Sequence, residues 1–207
     1  MKRAGVLTVV GAFLPFVLGA TLGSATTADG EGTLAHPMPP SAFLWLSVGL
    51  AAAHLLVLVG YLAVAAHVRG RARSFAQVGA AGTAAVAAVE VWAGLIAEAD
   101  RDGGAVAALD AAYVACAVVI AVGTVGAGVL LWSAERRLAL PLLVNGLLLG
   151  LVVVPVRVLG SDVLGIAALT VWSATYAWLG WVLWRTRPDA GPVHVDARRG
   201  APTATAE

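Results

Sequence analysis

Residues 42–66, AFLWLSVGLAAAHLLVLVGYLAVAA, decide the fold of this chain, because they carry no charged side chain over a length that spans a bilayer. A helix needs roughly 20 mostly apolar residues to cross a hydrocarbon core about 30 Å thick. Five other stretches are comparably long and mostly apolar. We therefore predict an all-α transmembrane bundle of six spans, at residues 4–22, 42–66, 75–97, 107–132, 138–158 and 163–184.

The composition predicts that lipid surrounds most of the molecule. Hydrophobic residues make up 60% of the chain and charged residues 12%, whereas soluble domains have about 45–50% and about 25%. A single soluble core of this size does not bury that excess, so the lipid bilayer is the expected partner. Basic stripes with interleaved aromatic residues are missing, which argues against nucleic-acid binding.

The positions of the basic residues predict the topology. Of the 13 lysines and arginines, only Arg101 and Arg157 fall on the opposite side of a six-span arrangement from the others. Because basic loops stay in the cytoplasm, we predict a multi-pass protein of the bacterial inner membrane with both termini cytoplasmic. Residues 186–207 have no periodic apolar face and are predicted to form a disordered cytoplasmic tail.

The first span has a second interpretation. Residues 1–25 contain a basic start, MKR, an apolar core and then the small residues LGSATTA, which together are also typical of a signal peptide. Cleavage there leaves five spans, 26–185, with unchanged orientation. The bundle is thus predicted to have six spans, or five if the first is removed.

Glu90 is the strongest functional candidate, because a charge at bilayer depth costs at least ~2.5–3.5 kcal/mol and tends to face a cavity or a partner. It lies near the outer end of the third span. The residues on its helical face are small: Thr83, Ala87, Ala93, Gly94 and Ala97. Glu90 is predicted to point into the bundle, either as a protonatable site on a solute or proton path or as a structural carboxyl.

His54 lies near the middle of the second span and shares its face with Ser47, Ala51, Leu58 and Tyr61. One interpretation is a hydrogen-bonded packing residue. The other is a proton-linked role, because histidine titrates near neutral pH. A metal or haem site would need a second histidine inside the membrane, and the predicted spans contain none besides His54. We therefore expect neither a metal nor a cofactor.

Arg157 follows Pro155, which withdraws a backbone hydrogen bond and predicts a kink in the fifth span. The guanidinium either reaches the interface or pairs with an acid at the outer side, for which Glu90, Asp110 and Asp162 are the candidates. Pairing predicts an outer vestibule lined by five side chains: His54, Glu90, Asp110, Tyr113 and Arg157.

Asn145 and the Gly146-x-x-x-Gly150 motif after it predict a helix-packing site. Small residues four positions apart let two helix backbones meet, and an amide forms hydrogen bonds across the contact.

The layout resembles a broad set of uncharacterised six-span bacterial membrane proteins. The resemblance covers most of the chain and is carried by loose motifs: His36-Pro37, Trp45, His54, Gly60-Tyr61 and Gly180-x-x-Leu183-Trp184-Arg185. It implies the same topology. No assigned activity comes with it.

The sequence favours a non-enzymatic structural or accessory membrane protein, and the alternative is a proton-linked or small-solute transporter that uses Glu90 and His54. A lipid-acting enzyme ranks last, because the chain has no HExxH, GxSxG, Walker or CxxC motif and no cysteine–histidine cluster.

Overall fold

The computed structural model describes residues 1–22, 25–27, 29–155 and 162–186, and of residues 162–169 it describes the helix but not the side chains. Within these ranges the architecture is all-helical. The helices are α1 (Lys2–Leu22), α2 (Pro40–His67), α3 (Arg71–Leu95), α4 (Gly104–Leu131), α5 (Arg136–Leu148) and α6 (Asp162–Arg185). A π-helical segment, Leu149–Val153, continues α5.

Five helices are long and apolar enough to cross a membrane: α1 to α4, and α5 together with its π-helical segment. Helix α6 has 24 residues. Large apolar side chains cover the outside of the bundle, and Phe13, Leu95 and Leu151 are 56%, 73% and 71% exposed. Contiguous apolar surface on this scale is unfavourable in water. The molecule therefore has the pattern of a multi-pass membrane protein.

The helices form a closed ring. Each helix packs against the next one along the chain, and α6 packs against both α5 and α1. Short connections make consecutive helices antiparallel. We call the end that carries segments 29–39 and 96–103 the loop end. The opposite end, which we call the arginine end, carries Arg69, Arg71, Arg136, Arg137 and Arg185.

Glycines bring the ring's neighbouring helices into backbone contact. A Cβ atom added to Gly123 on α4 would lie only 2.7 Å from the Cα atom of Gly79 on α3. Likewise, a Cβ atom on Gly180 of α6 would lie 2.7 Å from the carbonyl oxygen of Gly5 on α1. Small residues at crossings permit this approach and increase van der Waals contact. Helix α1 is thus in close backbone contact with α6.

Among the described helix ends, the start of α3 differs most from the predicted limit. Helix α3 begins at Arg71 instead of residue 75, after Gly70, whose φ of 64° favours glycine. Residues 71–74 are therefore helical, although they are too polar to belong to the predicted membrane span. The last three residues of the predicted fifth span, 156–158, lie outside the described part of the chain.

The π-helical segment has a local cause in Pro155. In a regular α-helix the proline ring clashes with the carbonyl group four residues earlier, which here belongs to Leu151. Leu151 lies in the middle of the π-helical segment, where the wider turn changes the direction of that carbonyl group. The irregularity that Pro155 predicts is therefore present as a π turn.

Candidate functional site

A cavity of about 410 Å³ lies between the helices, in the half of the bundle nearest the loop end. Helices α1 to α4, α6 and the π-helical continuation of α5 contribute to its wall. At its deep end lie Val57, Ile120, Leu149 and Tyr176, near the middle of their helices, and at its shallow end lies Leu34 from segment 29–39. We call this space the central cavity. Its size is in the range of small-molecule sites, which measure about 300–1,000 Å³.

His54 lines the central cavity from the middle of α2. Its Nδ1 atom lies 2.9 Å from the carbonyl oxygen of Leu50, one turn earlier. Because a carbonyl oxygen only accepts, Nδ1 carries the proton in this hydrogen bond. In the neutral ring, Nε2 is then a hydrogen-bond acceptor and the atom that takes up a further proton.

Glu90 lines the same cavity from α3, the helix next to α2. It is 9% exposed, and the small residues on its face, including Thr83 and Ala87, are buried as well. The carboxyl takes part in an interaction of its own. Thus the two strongest sequence candidates lie on adjacent helices and line one cavity.

The other three residues predicted to line the vestibule differ in where they lie. Tyr113 lines the central cavity from α4. Asp110, about one turn earlier on the same helix, is exposed and is not among the described residues of the cavity wall. Arg157 lies outside the described residues. Its pairing with an acid stays a prediction.

A chain of buried hydrogen bonds joins three helices below the deep end of the cavity. The hydroxyl of Tyr61 on α2 donates to Asn145 Oδ1 on α5 at 3.0 Å. Asn145 Nδ2 donates to Thr175 Oγ1 on α6 at 2.6 Å, and that hydroxyl donates to the carbonyl oxygen of Trp172, also at 2.6 Å. Asn145 is 1% exposed. The structure therefore places this amide between two other helices, where the sequence predicts packing.

The two glycines after Asn145 are not equivalent. A Cβ atom on Gly146 would lie 2.7 Å from Val125 Cγ2 and 2.9 Å from the carbonyl oxygen of Ala121, both on α4. A Cβ atom on Gly150 would meet only the Cβ atom of Ala121 at 3.5 Å, an ordinary contact. Close packing on α4 thus requires Gly146 and leaves room at Gly150.

Two aromatic residues of α6 complete the deep end of the cavity. Trp172 and Tyr176 both line it, their ring centroids lie 4.9 Å apart, and they are 8% and 3% exposed. Neither the Trp172 Nε1 atom nor the Tyr176 hydroxyl oxygen has a hydrogen-bond partner among the described residues. Buried polar atoms of this kind are rare in native structures.

Trp172 is not among the site residues predicted from the sequence, although its position carries a signal. Tryptophans of membrane helices concentrate at the two interfaces. Trp172 lies ten positions into α6, which has 24 residues, and so lies near the middle of the helix. A tryptophan at that depth marks a place where its N–H group needs a polar partner inside the protein.

Segment 29–39 crosses the loop end above the cavity. Leu34 N donates to the carbonyl oxygen of Ala99 at 2.9 Å, and Ala35 N donates to that of Ala97 at 3.0 Å. The Arg101 guanidinium donates from Nη2 to the carbonyl oxygen of His36 at 2.9 Å. These bonds attach the segment to the α3–α4 connection and hold Leu34 against the shallow end of the cavity.

Apolar packing closes the bundle between the cavity and the arginine end. Leu131, Leu138, Leu142 and Leu183 each have an exposed fraction of 0%, and they belong to one continuous core. Beyond this layer, His67 Nε2 lies 3.3 Å from the Glu135 carboxylate. In this conformation the central cavity belongs to the loop-end half alone.

Across the described ranges no three His, Cys, Asp or Glu side chains lie close enough together to hold a metal ion. No protein-family model, curated protein or solved structure matches this chain. Its function is therefore argued from the cavity and from the groups that line it.

Proposed function

We propose that the protein is a proton-linked carrier of a small solute, which it binds in the central cavity. We further propose that α1 to α6 form six spans in the bacterial inner membrane with both termini in the cytoplasm, in line with the arginines gathered at one end. The observation that carries the functional proposal is that His54 and Glu90, on neighbouring helices, line one cavity.

The chemistry of the two groups supports proton linkage. His54 is held in one orientation by its bond to Leu50, which leaves Nε2 to accept a proton. Glu90 is the one acidic residue among the described residues of the cavity wall, and ionisable residues inside a membrane typically mark substrate or proton pathways. The leucine layer is then the barrier that closes the arginine end in this state, and transport requires a second state in which it opens.

A proteoliposome assay tests the proposal. Vesicles loaded with a pH-sensitive dye and polarised with potassium and valinomycin report proton uptake. Wild-type protein is expected to raise uptake above that of protein-free vesicles, and Glu90→Gln and His54→Ala are each expected to lower the protein-dependent rate about tenfold or more. Glu98→Gln is the matched control, because Glu98 is exposed in the α3–α4 connection and the same atom is changed.

Equal uptake by wild type and both cavity variants, at equal protein content, would contradict proton linkage. If vesicles with wild-type protein were no more permeable to protons than empty vesicles, a proton path through the protein would be contradicted. The second candidate, a structural or accessory membrane protein, would then be preferred, and the bond chain Tyr61–Asn145–Thr175 favours it because its evident effect is to join helices.

A further inference from the structure

Basic side chains and tryptophans lie together on the outside of the ring at the arginine end, where α1 meets α6. The two helices are in backbone contact there, and a Cβ atom on Gly5 would lie 3.0 Å from the Cα atom of Trp184. The first residues of α1 therefore lie at about the same depth as the last residues of α6. We call this surface the basic seam, and it consists of Lys2, Arg3, Trp181, Trp184 and Arg185.

Helix α6 contributes a guanidinium held on an aromatic pair. The guanidinium carbon of Arg185 lies 4.3 Å from the centroid of the Trp181 ring, and the Trp181 and Trp184 rings lie 5.2 Å apart. Both indoles are exposed on the outside of the ring, by 46% and 44%. Stacking occupies the flat face of a guanidinium and leaves the N–H groups at its edge to donate to an anion such as phosphate.

Helix α1 contributes a groove that is basic at one end and apolar along its length. The groove is open to the outside and is lined by Lys2, Arg3, Val6 and Leu7. Val6 and Leu7 follow the two basic residues toward the middle of the bundle, and both are exposed. A phospholipid has the same order of properties, with a charged head group at the interface and apolar chains below it.

The charge of the basic seam calls for an anion. Among the described residues, Glu135 is the one acidic side chain at the arginine end, and its carboxylate lies 3.3 Å from His67 Nε2. Basic clusters on the cytoplasmic side of membrane helices attract anionic lipid head groups. A second copy of this chain fits less well, because a symmetric contact through the same patch would bring like charges together.

We propose that the basic seam binds an anionic phospholipid of the cytoplasmic leaflet. Its phosphate is held by the basic side chains of both helices, and its acyl chains lie against the groove of α1 and the indole rings of α6. The proposal goes beyond solute carriage and does not depend on it.

Native mass spectrometry of the full chain, released from detergent micelles during a lipid titration, tests the proposal. The probes are dioleoylphosphatidylglycerol, which is anionic, and dioleoylphosphatidylcholine, which has the same chains and no net charge. Wild type is expected to bind the anionic lipid about tenfold or more tightly, because each basic side chain near an anionic head group contributes about 1 kcal/mol, a factor of about five. Lys2→Gln and Arg185→Gln are each expected to weaken binding of the anionic lipid by about that factor and leave binding of the other lipid unchanged.

Arg73→Gln is the matched control, because it removes the same charge from an exposed position at the same end of the bundle. Arg73 lies on α3, which packs against α2 and α4 and not against the helices of the basic seam. This variant is expected to keep the full preference for the anionic lipid. Thermal unfolding of each variant checks the fold.

Four results would overturn the inference. Equal binding of the two lipids to wild type would exclude selection by charge. An equal loss in Arg73→Gln would show a diffuse basic surface instead of a site, and a preference unchanged in both seam variants would place the lipid elsewhere. A dimer without bound lipid would show that a second copy covers the seam. Because the titration involves no gradient, proton flux can fail while lipid selection holds, and the reverse.

Discussion

Asn145 links three helices through one side chain, and this makes it the residue whose contribution to stability is easiest to isolate. Its amide accepts from Tyr61 and donates to Thr175, and all three residues are buried. Buried threonines elsewhere are satisfied within their own helix, as Thr83 is by the carbonyl oxygen of Gly79 at 2.9 Å. The two kinds of polar residue predict different effects on mutation.

We predict that Asn145→Leu lowers the free energy of unfolding by about 1–3 kcal/mol, because it leaves the Tyr61 and Thr175 hydroxyls short of a partner. Thr83→Val is the control and is expected to change stability little, since the Gly79 carbonyl keeps its helical bond. Denaturation in mixed detergent micelles measures both. Tyr61→Phe added to Asn145→Leu should cost less than it does alone, and strictly additive losses would contradict the linkage.

At the scale of the element, close helix crossings depend on glycines with no room for a Cβ atom. Gly123 meets backbone atoms of α3, and backbone atoms cannot rotate away as a flexible side chain can. Gly150, in the π-helical segment, meets one methyl group at an ordinary distance. The two glycines both lie in apolar sequence, but only Gly123 is required by a close helix crossing.

We predict that Gly123→Ala destabilises the protein by about 1–3 kcal/mol through overpacking, whereas Gly150→Ala has a small effect. The two substitutions add the same methyl group, so the difference reports the crossing alone. Thermal unfolding in detergent, followed by circular dichroism, gives the comparison. Equal melting temperatures for the two variants would show that α3 and α4 do not cross as closely as described.

At the scale of the whole molecule, the ring has an arginine end and a loop end. Arg136 stacks on Trp132, with its guanidinium carbon 5.1 Å from the ring centroid, and Arg185 stacks on Trp181 at 4.3 Å. Such pairs suit a membrane interface, where one group faces lipid and the other faces phosphate. Because arginines gather at one end, this asymmetry predicts which end of the ring faces the cytoplasm.

We predict that the two ends face opposite compartments. Cys116 is the one cysteine in the chain, so Cys116→Ala provides a background for single labelling sites. In whole cells a membrane-impermeant maleimide is expected to label Asp102→Cys at the loop end. Arg137→Cys at the arginine end should be labelled only after the cells are permeabilised. Labelling of both sites in intact cells would contradict the orientation.

Much of the fold could be predicted from the sequence, because hydrophobic length and interfacial charge are local properties. The helices α1 to α4 each appear within a few residues of the predicted spans. The inward face of Glu90 was also predictable, since a helix repeats every 3.6 residues and the neighbouring residues on that face are small. Pro155 predicted a kink in the fifth span, and the structure has a π-helical segment just before it, at Leu149–Val153.

The sequence by itself determined that this chain is a bundle of apolar helices and that Glu90 faces inward. Only the tertiary structure decided which residues meet: that α6 closes the ring on α1, that His54, Glu90 and Trp172 share one cavity, and that Asp110 stays outside its wall. The physical reason is the separation along the chain over which each effect acts. Burial and helix period act between residues a few positions apart, whereas a cavity is formed by side chains from distant helices whose relative depth and rotation depend on the packing of every neighbour.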